Sequence, residues 1–363
     1  MRHTFLALLF SLFLTTTAHA EILLATVGPM TGQNASIGEQ MRRGAELAVK
    51  HINANGGLLG QHVNLSVMDD VCDPKQATTV AQKLVNDGAV FVAGHFCSGA
   101  SIPASNIYSE EGIVMISPAS TVPALTDRKL DGIFRLCGRD DQQGVIGAQY
   151  LLKTFANKNI AIIHDKTAYG KGLADVAKAS LHKNGVQEVL YEAITVGERD
   201  FSALVTKMKQ AKVDVIFYGG YYTEAGLIVR QAHDQGLKAP LMAGDSLITK
   251  EFWTITGAAG NGTLMTFSPD PRLEPTAQPI VEEFRKTGYE PEGYALFNYA
   301  AVMIYADAVK KANSTKLPDV LKALHSNPFA TIIGTIQFDA KGDVTAPAYR
   351  VYNWKDGAYI YAK

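Results

Sequence analysis

Short apolar runs alternate with amphipathic helical stretches along most of this chain, and the runs break abruptly into small or hydroxylated residues. Two such breaks stand close together: residues 90–93 run into Gly94-His95-Phe96-Cys97-Ser98, and residues 113–116 run into Ser117-Pro118-Ala119-Ser120-Thr121. A continuous apolar run of this length predicts a parallel strand buried on both faces, opening into a loop at its C-terminal end. A helix-compatible segment to Tyr108 follows Ser98. Ser98 is therefore expected at a helix N-terminus, where free backbone N–H groups and the helix dipole favour an anion. The 117–121 loop offers hydroxyls and backbone groups but no charge. Such loops suit a small ligand bearing a carboxylate or phosphate, and they are poor equipment for acid–base chemistry.

The same alternation extends in both directions. Residues 21–27 read as a buried strand, and a loop over 30–38 leads into a helix over 39–55 with Met41, Ala45, Ala48, Val49 and Ile52 at helical spacing. A strand at 63–68 precedes Asp73-Pro74, a cap and first-turn pair that starts a helix reaching Asn86. At Gly138-Arg139-Asp140-Asp141 the pattern starts afresh. A helix over 142–155, a strand over 160–163 and a helix over 171–183 are followed by strands at 189–191, 215–218 and 241–242. After a strand at 264–267, Pro269, Pro271, Pro275 and Pro279 mark a crossover. Helices at 280–286, 294–312 and 317–324, an apolar segment at 332–338 and a strand at 349–354 close the chain. The expectation is an α/β protein of two similar Rossmann-like lobes with parallel central sheets.

Composition narrows the function. Arg2, the apolar stretch 5–14 and Ala18-His19-Ala20 form an export signal, expected to be cleaved after Ala20. No later run approaches the roughly 20 apolar residues needed to span a bilayer. Removing the signal changes the formal charge from −1 to −2, because Arg2 is its one charged residue. A near-neutral chain is a poor partner for nucleic acid or an anionic membrane surface. The remaining length exceeds what one core usually supports, so two domains are expected.

The chain has three cysteines. Export to an oxidising compartment favours one disulfide. Cys72 and Cys97 each follow a predicted strand, and neighbouring parallel strands would bring them together at one sheet edge; Cys137 is then a small core residue. Cys97 also sits on a strand-to-helix turn, the geometry of a nucleophile elbow, with His95 two residues away. A Cys hydrolase would need an orienting acid that the sequence does not identify, and export favours the disulfide. The scattered histidines offer no metal-ligand spacing, and Gly170-Lys171-Gly172 lacks the third glycine of a dinucleotide fingerprint. Neither a metal nor a cofactor is expected. Tyr169, Tyr221 and Asp245 all fall just after predicted strands of the second half, where open α/β sheets bind ligands. They form a plausible second jaw.

DDVCDPKQA (69–77), VNDG (85–88), GHFCS (94–98), IYSEEGIVMISPAST (107–121), AIIHDKTAYGKGLA (161–174) and YGGYYTEAG (218–226) together resemble the periplasmic leucine/isoleucine/valine-binding proteins of bacterial ABC transporters. The likeness covers essentially the whole mature sequence. It implies the type I periplasmic binding protein fold, with two lobes joined by three hinge strands: 21–139 plus 269–345, and 140–268 plus 346–363. It implies a monomeric periplasmic protein that is no enzyme, binds an aliphatic amino acid and delivers it to an inner-membrane ABC permease. A module presenting the same ligand to a membrane sensor would use the same cleft. By resemblance, Ser98 and Thr121 take the ligand carboxylate, with Ser120 in the same loop. The Ala119 carbonyl, the Thr121 hydroxyl and Asp245 take the ammonium; Tyr169 and Tyr221 close from the second lobe, and Tyr294 lines the side-chain pocket. Two positions depart from the pattern. Ile37 stands where leucine binders carry an aromatic residue, and Asp245 where they carry Glu. Ile37 is expected to reshape one pocket wall and weaken the preference for leucine over alanine.

Overall fold

A computed structural model describes residues 21–362, so the expected signal and its cleavage site lie outside the described residues. The first half runs β1 (Ile22–Gly28), α1 (Ala35–Ala54), β2 (Val63–Asp69), α2 (Pro74–Asn86), β3 (Phe91–Gly94), α3 (Ser98–Glu110), β4 (Val114–Ser117), α4 (Ala124–Asp127) and β5 (Ile133–Arg135). There follow α5 (Asp140–Thr154), β6 (Ile160–His164), α6 (Ala168–Lys183), β7 (Leu190–Ala193), α7 (Ser202–Gln210), β8 (Val215–Gly219), α8 (Tyr222–Asp234), β9 (Leu241–Ala243), α9 (Lys250–Thr256) and β10 (Leu264–Phe267). The last part holds α10 (Gln278–Lys286), α11 (Ala295–Ala312), α12 (Leu317–Ser326), β11 (Phe329–Thr331), β12 (Gly334–Ile336), β13 (Arg350–Lys355) and β14 (Ala358–Tyr361).

Two separate sheets organise these elements. One is five-stranded and wholly parallel, in the order β2-β1-β3-β4-β5. The other is seven-stranded, in the order β14-β13-β10-β9-β8-β6-β7, and is parallel from β10 to β7. The chain leaves one sheet for the other three times, after β5, after β10 and before β13. That is the two-sheet α/β architecture expected of the sequence. Every residue of β3, β4, β6 and β8 is buried, as helices covering both faces of a parallel sheet require. Helix α11 carries buried residues all round and packs on α1, α12, β3 and β4. It closes the face of the first sheet late in the chain.

Local chemistry explains several boundaries. The Asp73 side chain accepts from the N–H groups of Lys75 and Gln76, and Pro74 sits where its missing N–H costs nothing. Helices α1 and α6 begin earlier than apolar spacing suggested, at Ala35 and Ala168. Each first turn carries a single large buried residue, Ile37 or Tyr169, among small ones, too little to show a helical period; Thr167 caps α6 by accepting from the Gly170 N–H. The C-terminal strand is in fact a hairpin. Asp356 and Gly357, at φ 49° and 84°, make the tight turn from β13 to β14.

One expectation about strand order fails. Strands β2 and β3 are not neighbours, because β1 lies between them and pairs with both. Cys72 and Cys97 nevertheless meet, with Cα atoms 5.4 Å apart in a disulfide, because their loops fold over the end of β1. Cys137 is free and buried, and its thiol donates to the Ser120 carbonyl at 3.4 Å. Burial pushes that thiol well above its ordinary range, so it is no nucleophile.

Candidate functional site

In the five-stranded sheet the strand order reverses between β1 and β3, and in the seven-stranded sheet it reverses at β6 and β8. Ligands of open α/β sheets sit at such switch points, beyond the strand C-termini. Ser98 and the 117–121 loop lie at the first, Tyr169 and Tyr221 at the second.

On the first side, β3 ends at Gly94. A Cβ there would lie 2.3 Å from the Val27 carbonyl oxygen, and φ is 155°, so the backbone turns where only glycine fits. Ser98 is the first residue of α3, as its position predicted, and the Val122 N–H donates to its Oγ at 3.4 Å. The Ser117 hydroxyl donates to the His95 carbonyl at 2.7 Å and accepts from the Ser120 N–H at 2.9 Å. The Ser120 hydroxyl pairs with Ser101 Oγ and donates to the Phe96 carbonyl at 2.9 Å. Ser120 thus braces the loop from within and has no hydroxyl to offer a ligand. Arg135, wholly buried, donates to the carbonyls of Ser120 (2.8 Å) and Val122 (2.9 Å) and to Asp343 Oδ1 (2.6 Å). The hydroxyl of Thr121 is buried without a partner. It is free to take one.

On the second side, Tyr169 stands in the first turn of α6 and Tyr221 caps α8, their rings 5.3 Å apart. The turn before Tyr221 needs Gly220, at φ 158°, because a Cβ would meet the Tyr218 hydroxyl at 2.2 Å. Asp245 begins a short turn after β9; the Tyr169 hydroxyl donates to its Oδ1 at 2.9 Å and the Tyr294 hydroxyl to its Oδ2. Burial pushes the Asp245 carboxyl above the ordinary carboxylate range, against the pull of those two hydroxyls. The hydroxyls of Tyr169 and Tyr294 are raised by burial and then by Asp245, and that of Tyr221 by burial and then by Asp165 and Asp245. All three are neutral donors at any physiological pH.

Phe96, Ser98, Ala119, Tyr169, Tyr221, Asp245 and Ser246 line a small, tightly closed cavity between the two sides. The mouth is held shut by direct bonds. Tyr222 donates to the Gln33 carbonyl at 2.6 Å, Ser36 Oγ meets Thr249 Oγ1 at 2.9 Å, and Thr223 donates to the Gln33 carbonyl at 3.1 Å.

Of the residues singled out from the sequence, Ser98, Ala119, Tyr169, Tyr221 and Asp245 line this cavity, and Tyr294 reaches it through Asp245. Ile37 does not line it; it is fully buried in the first turn of α1. The aromatic wall comes instead from Phe96, packed 5.6 Å from the rings of both Tyr221 and Tyr294. An aromatic residue between a strand end and Ser98 was the available signal, but it is equally what a core residue looks like. If Phe96 sets pocket size, Phe96→Leu enlarges it. The ratio of leucine to alanine affinity should then rise several-fold, at about 0.8 kcal/mol per ligand methylene buried, in parallel titrations.

His95 has the acid partner that the sequence did not identify. Its Nδ1 meets Asp70 Oδ2 at 2.6 Å, and its Nε2 meets the Tyr108 hydroxyl at 3.1 Å. Both ring nitrogens are engaged and the Cys97 sulfur is bonded to Cys72, so this constellation is a structural brace.

Two sheets closing on a small cavity at their strand ends define a solute-binding protein of the two-lobed kind. The Periplasmic binding protein family matches residues 21–358, and the chain belongs to it. It is 48% identical over 342 residues to Leu/Ile/Val-binding protein homolog 1 of Brucella suis biovar 1, covering 94% of this chain and 92% of that one. It is 47% identical over 346 residues to an amino acid binding protein of Pseudomonas aeruginosa, covering 94% and 92%. Among solved structures, a leucine-binding protein from Thermotoga maritima superposes with a TM-score of 0.87 at 27% identity, over 94% of this chain and 98% of that one. A branched-chain amino acid transporter substrate-binding protein from Streptococcus pneumoniae, in complex with isoleucine, gives 0.85 at 28%, with the same coverage.

Proposed function

We propose that this protein is a periplasmic solute-binding component of an ABC transporter that captures an aliphatic L-amino acid and delivers it to an inner-membrane permease. The observation that carries this is charge complementarity across one small cavity. A neutral loop pair with Ser98 at a helix N-terminus suits the α-carboxylate, and Asp245, with the unpartnered Thr121 hydroxyl, suits the ammonium. The walls between them are aromatic. The names of the relatives point to the same ligand class. The lobes comprise 21–139 plus 269–345 and 140–268 plus 346–363, and binding works by closure of one on the other. With His95 and Cys97 both occupied, the cleft binds rather than catalyses.

A thermal-shift panel of free L-amino acids tests this. Ligand at a hundredfold excess over Kd adds about 2.7 kcal/mol of stability, so one or more aliphatic amino acids should raise the midpoint. A flat panel would remove the proposal. Ser98→Ala and Thr121→Ala should each weaken the best ligand by roughly 1.5–3 kcal/mol, the worth of a hydrogen bond to a charged group. Calorimetry reads the change, and the free proteins should melt as wild type does.

A further inference from the structure

The first and third crossovers between the sheets pack against each other at Gly138 and Tyr349. Gly138 lies between β5 and α5, and Tyr349 is the residue before β13. A Cβ built on Gly138 would stand 2.7 Å from both Cζ and the hydroxyl oxygen of Tyr349, so the ring rests on bare backbone. The φ of Gly138 is outside the left-handed region, so its conformation does not call for glycine. The contact does. Tyr349 is buried, and its hydroxyl has no hydrogen-bond partner among the described residues. Nothing directional therefore fixes the ring on the backbone beneath it.

On the side of the first lobe the same two segments are clamped. The Arg135 N–H donates to the Gly342 carbonyl at 3.0 Å, Arg135 Nε to Asp343 Oδ1 at 2.6 Å, and Arg139 Nη1 to Asp343 Oδ2 at 2.8 Å. On the side of the second lobe they part, one into α5 at Asp140 and the other into β13 at Arg350. A gap lined by Gly138, Ser268, Pro269, Thr345 and Pro347, residues of all three crossovers, opens beside the contact. Segments clamped at one end, with room beside them and an unbonded contact beyond, are placed to absorb a rotation. We propose that Tyr349 turning on Gly138 is the bearing on which the lobes close, so that bulk at these two positions sets the balance between open and closed forms. A side chain at 138 holds the crossovers apart and keeps the mouth open. The inference rests on lobe closure as read above, whatever ligand the cleft takes.

The test reads closure directly. Ser36 Oγ and Thr249 Oγ1 face each other across the shut mouth at 2.9 Å, so Ser36→Cys with Thr249→Cys reports the closed form by disulfide formation under a mild oxidant. Cys137 is buried and takes no part. Adding Gly138→Ala to that pair should slow cross-linking roughly tenfold, within what an overpacked contact costs. Adding Tyr349→Leu as well removes the atoms that a Cβ at 138 would meet, and should restore the rate to within about threefold. A fold that was merely damaged would not be rescued by a second substitution. Tyr349→Trp wedges the same contact from the other side; it should also slow cross-linking, and it decides if Gly138→Ala does not fold. An unchanged rate in the deciding variant would overturn the proposal, as would a slowed rate in Gly138→Ala that Tyr349→Leu leaves slow. L-leucine and L-alanine, each added in turn, should speed cross-linking of the cysteine pair alone. If neither does, the amino-acid reading fails, while the order of the variants still tests the bearing.

Discussion

Asp245→Ala should cost about 3–5 kcal/mol of amino-acid binding, because it leaves a buried ammonium without its principal counter-charge. At 1.4 kcal/mol per decade, Kd should rise by roughly two to three and a half orders of magnitude, well beyond the effect at Ser98 or Thr121. The free protein should not share the damage. Asp245 is buried, and in the absence of a cation its charge is a burden that the Tyr169 and Tyr294 hydroxyls only partly relieve. Calorimetry on wild type, Asp245→Ala and Asp245→Asn measures the binding term. Wild-type affinity in both variants would remove Asp245 from the site.

The raised carboxyl of Asp245 gives this prediction a pH signature. An ammonium binds the ionised form, so affinity should fall as pH drops through the raised pKa, by up to tenfold per unit, beginning above the ordinary Asp value of about 3.9. Stability of the free protein runs the other way at this residue. A carboxyl whose folded-state pKa is raised contributes stability that is present at low pH and lost as pH rises through the folded value. Asp245→Asn should therefore be more stable than wild type near neutrality, and the gap should close on acidification. Denaturation midpoints of the two proteins at several pH values read that gap. Opposite slopes for binding and for stability are hard to obtain from a residue that merely packs.

The parts of this architecture that could be read from the chain are those encoded locally. Buried strands, Asp73-Pro74 at a helix start and Ser98 at a helix N-terminus all depend on neighbours within a few residues. Strand order does not: β1 lies between β2 and β3, an arrangement that no local pattern records. The same limit explains the site. Position after predicted strands brought Tyr169, Tyr221 and Asp245 together, the resemblance gave them roles, and the structure places them around one cavity. Phe96 went unnoticed, because a Phe beside a strand end is ordinary in isolation. Its meaning comes from what surrounds it, Tyr221 and Tyr294. Asp356-Gly357 is different. That hairpin signal was local and legible, and a strand expected to end at 354 passed over it.

Breaking the Cys72–Cys97 disulfide should cost about 3–4 kcal/mol of stability, the chain-entropy value for a loop closed across a sequence separation of 25. Cys72→Ser should show it as a lower denaturation midpoint, and reductant should bring wild type down to the same value. Mass analysis after alkylation under denaturing conditions, without reductant, should find one modified cysteine, Cys137; three would mean that the bond does not form. Binding should suffer as well, because Cys97 is the residue immediately before Ser98 and caps α3. The loss should be partial. Asp70 ties the same two loops a second time, accepting from the Cys72 N–H at 2.9 Å and meeting His95 at 2.6 Å inside the core. Cys72→Ser combined with Asp70→Ala removes both ties. That pair should weaken amino-acid binding by more than the sum of the single changes, since either tie alone still holds the 94–98 loop against the 69–73 loop. Additive losses would show that the two ties act independently and that the Ser98 loop keeps its shape without them.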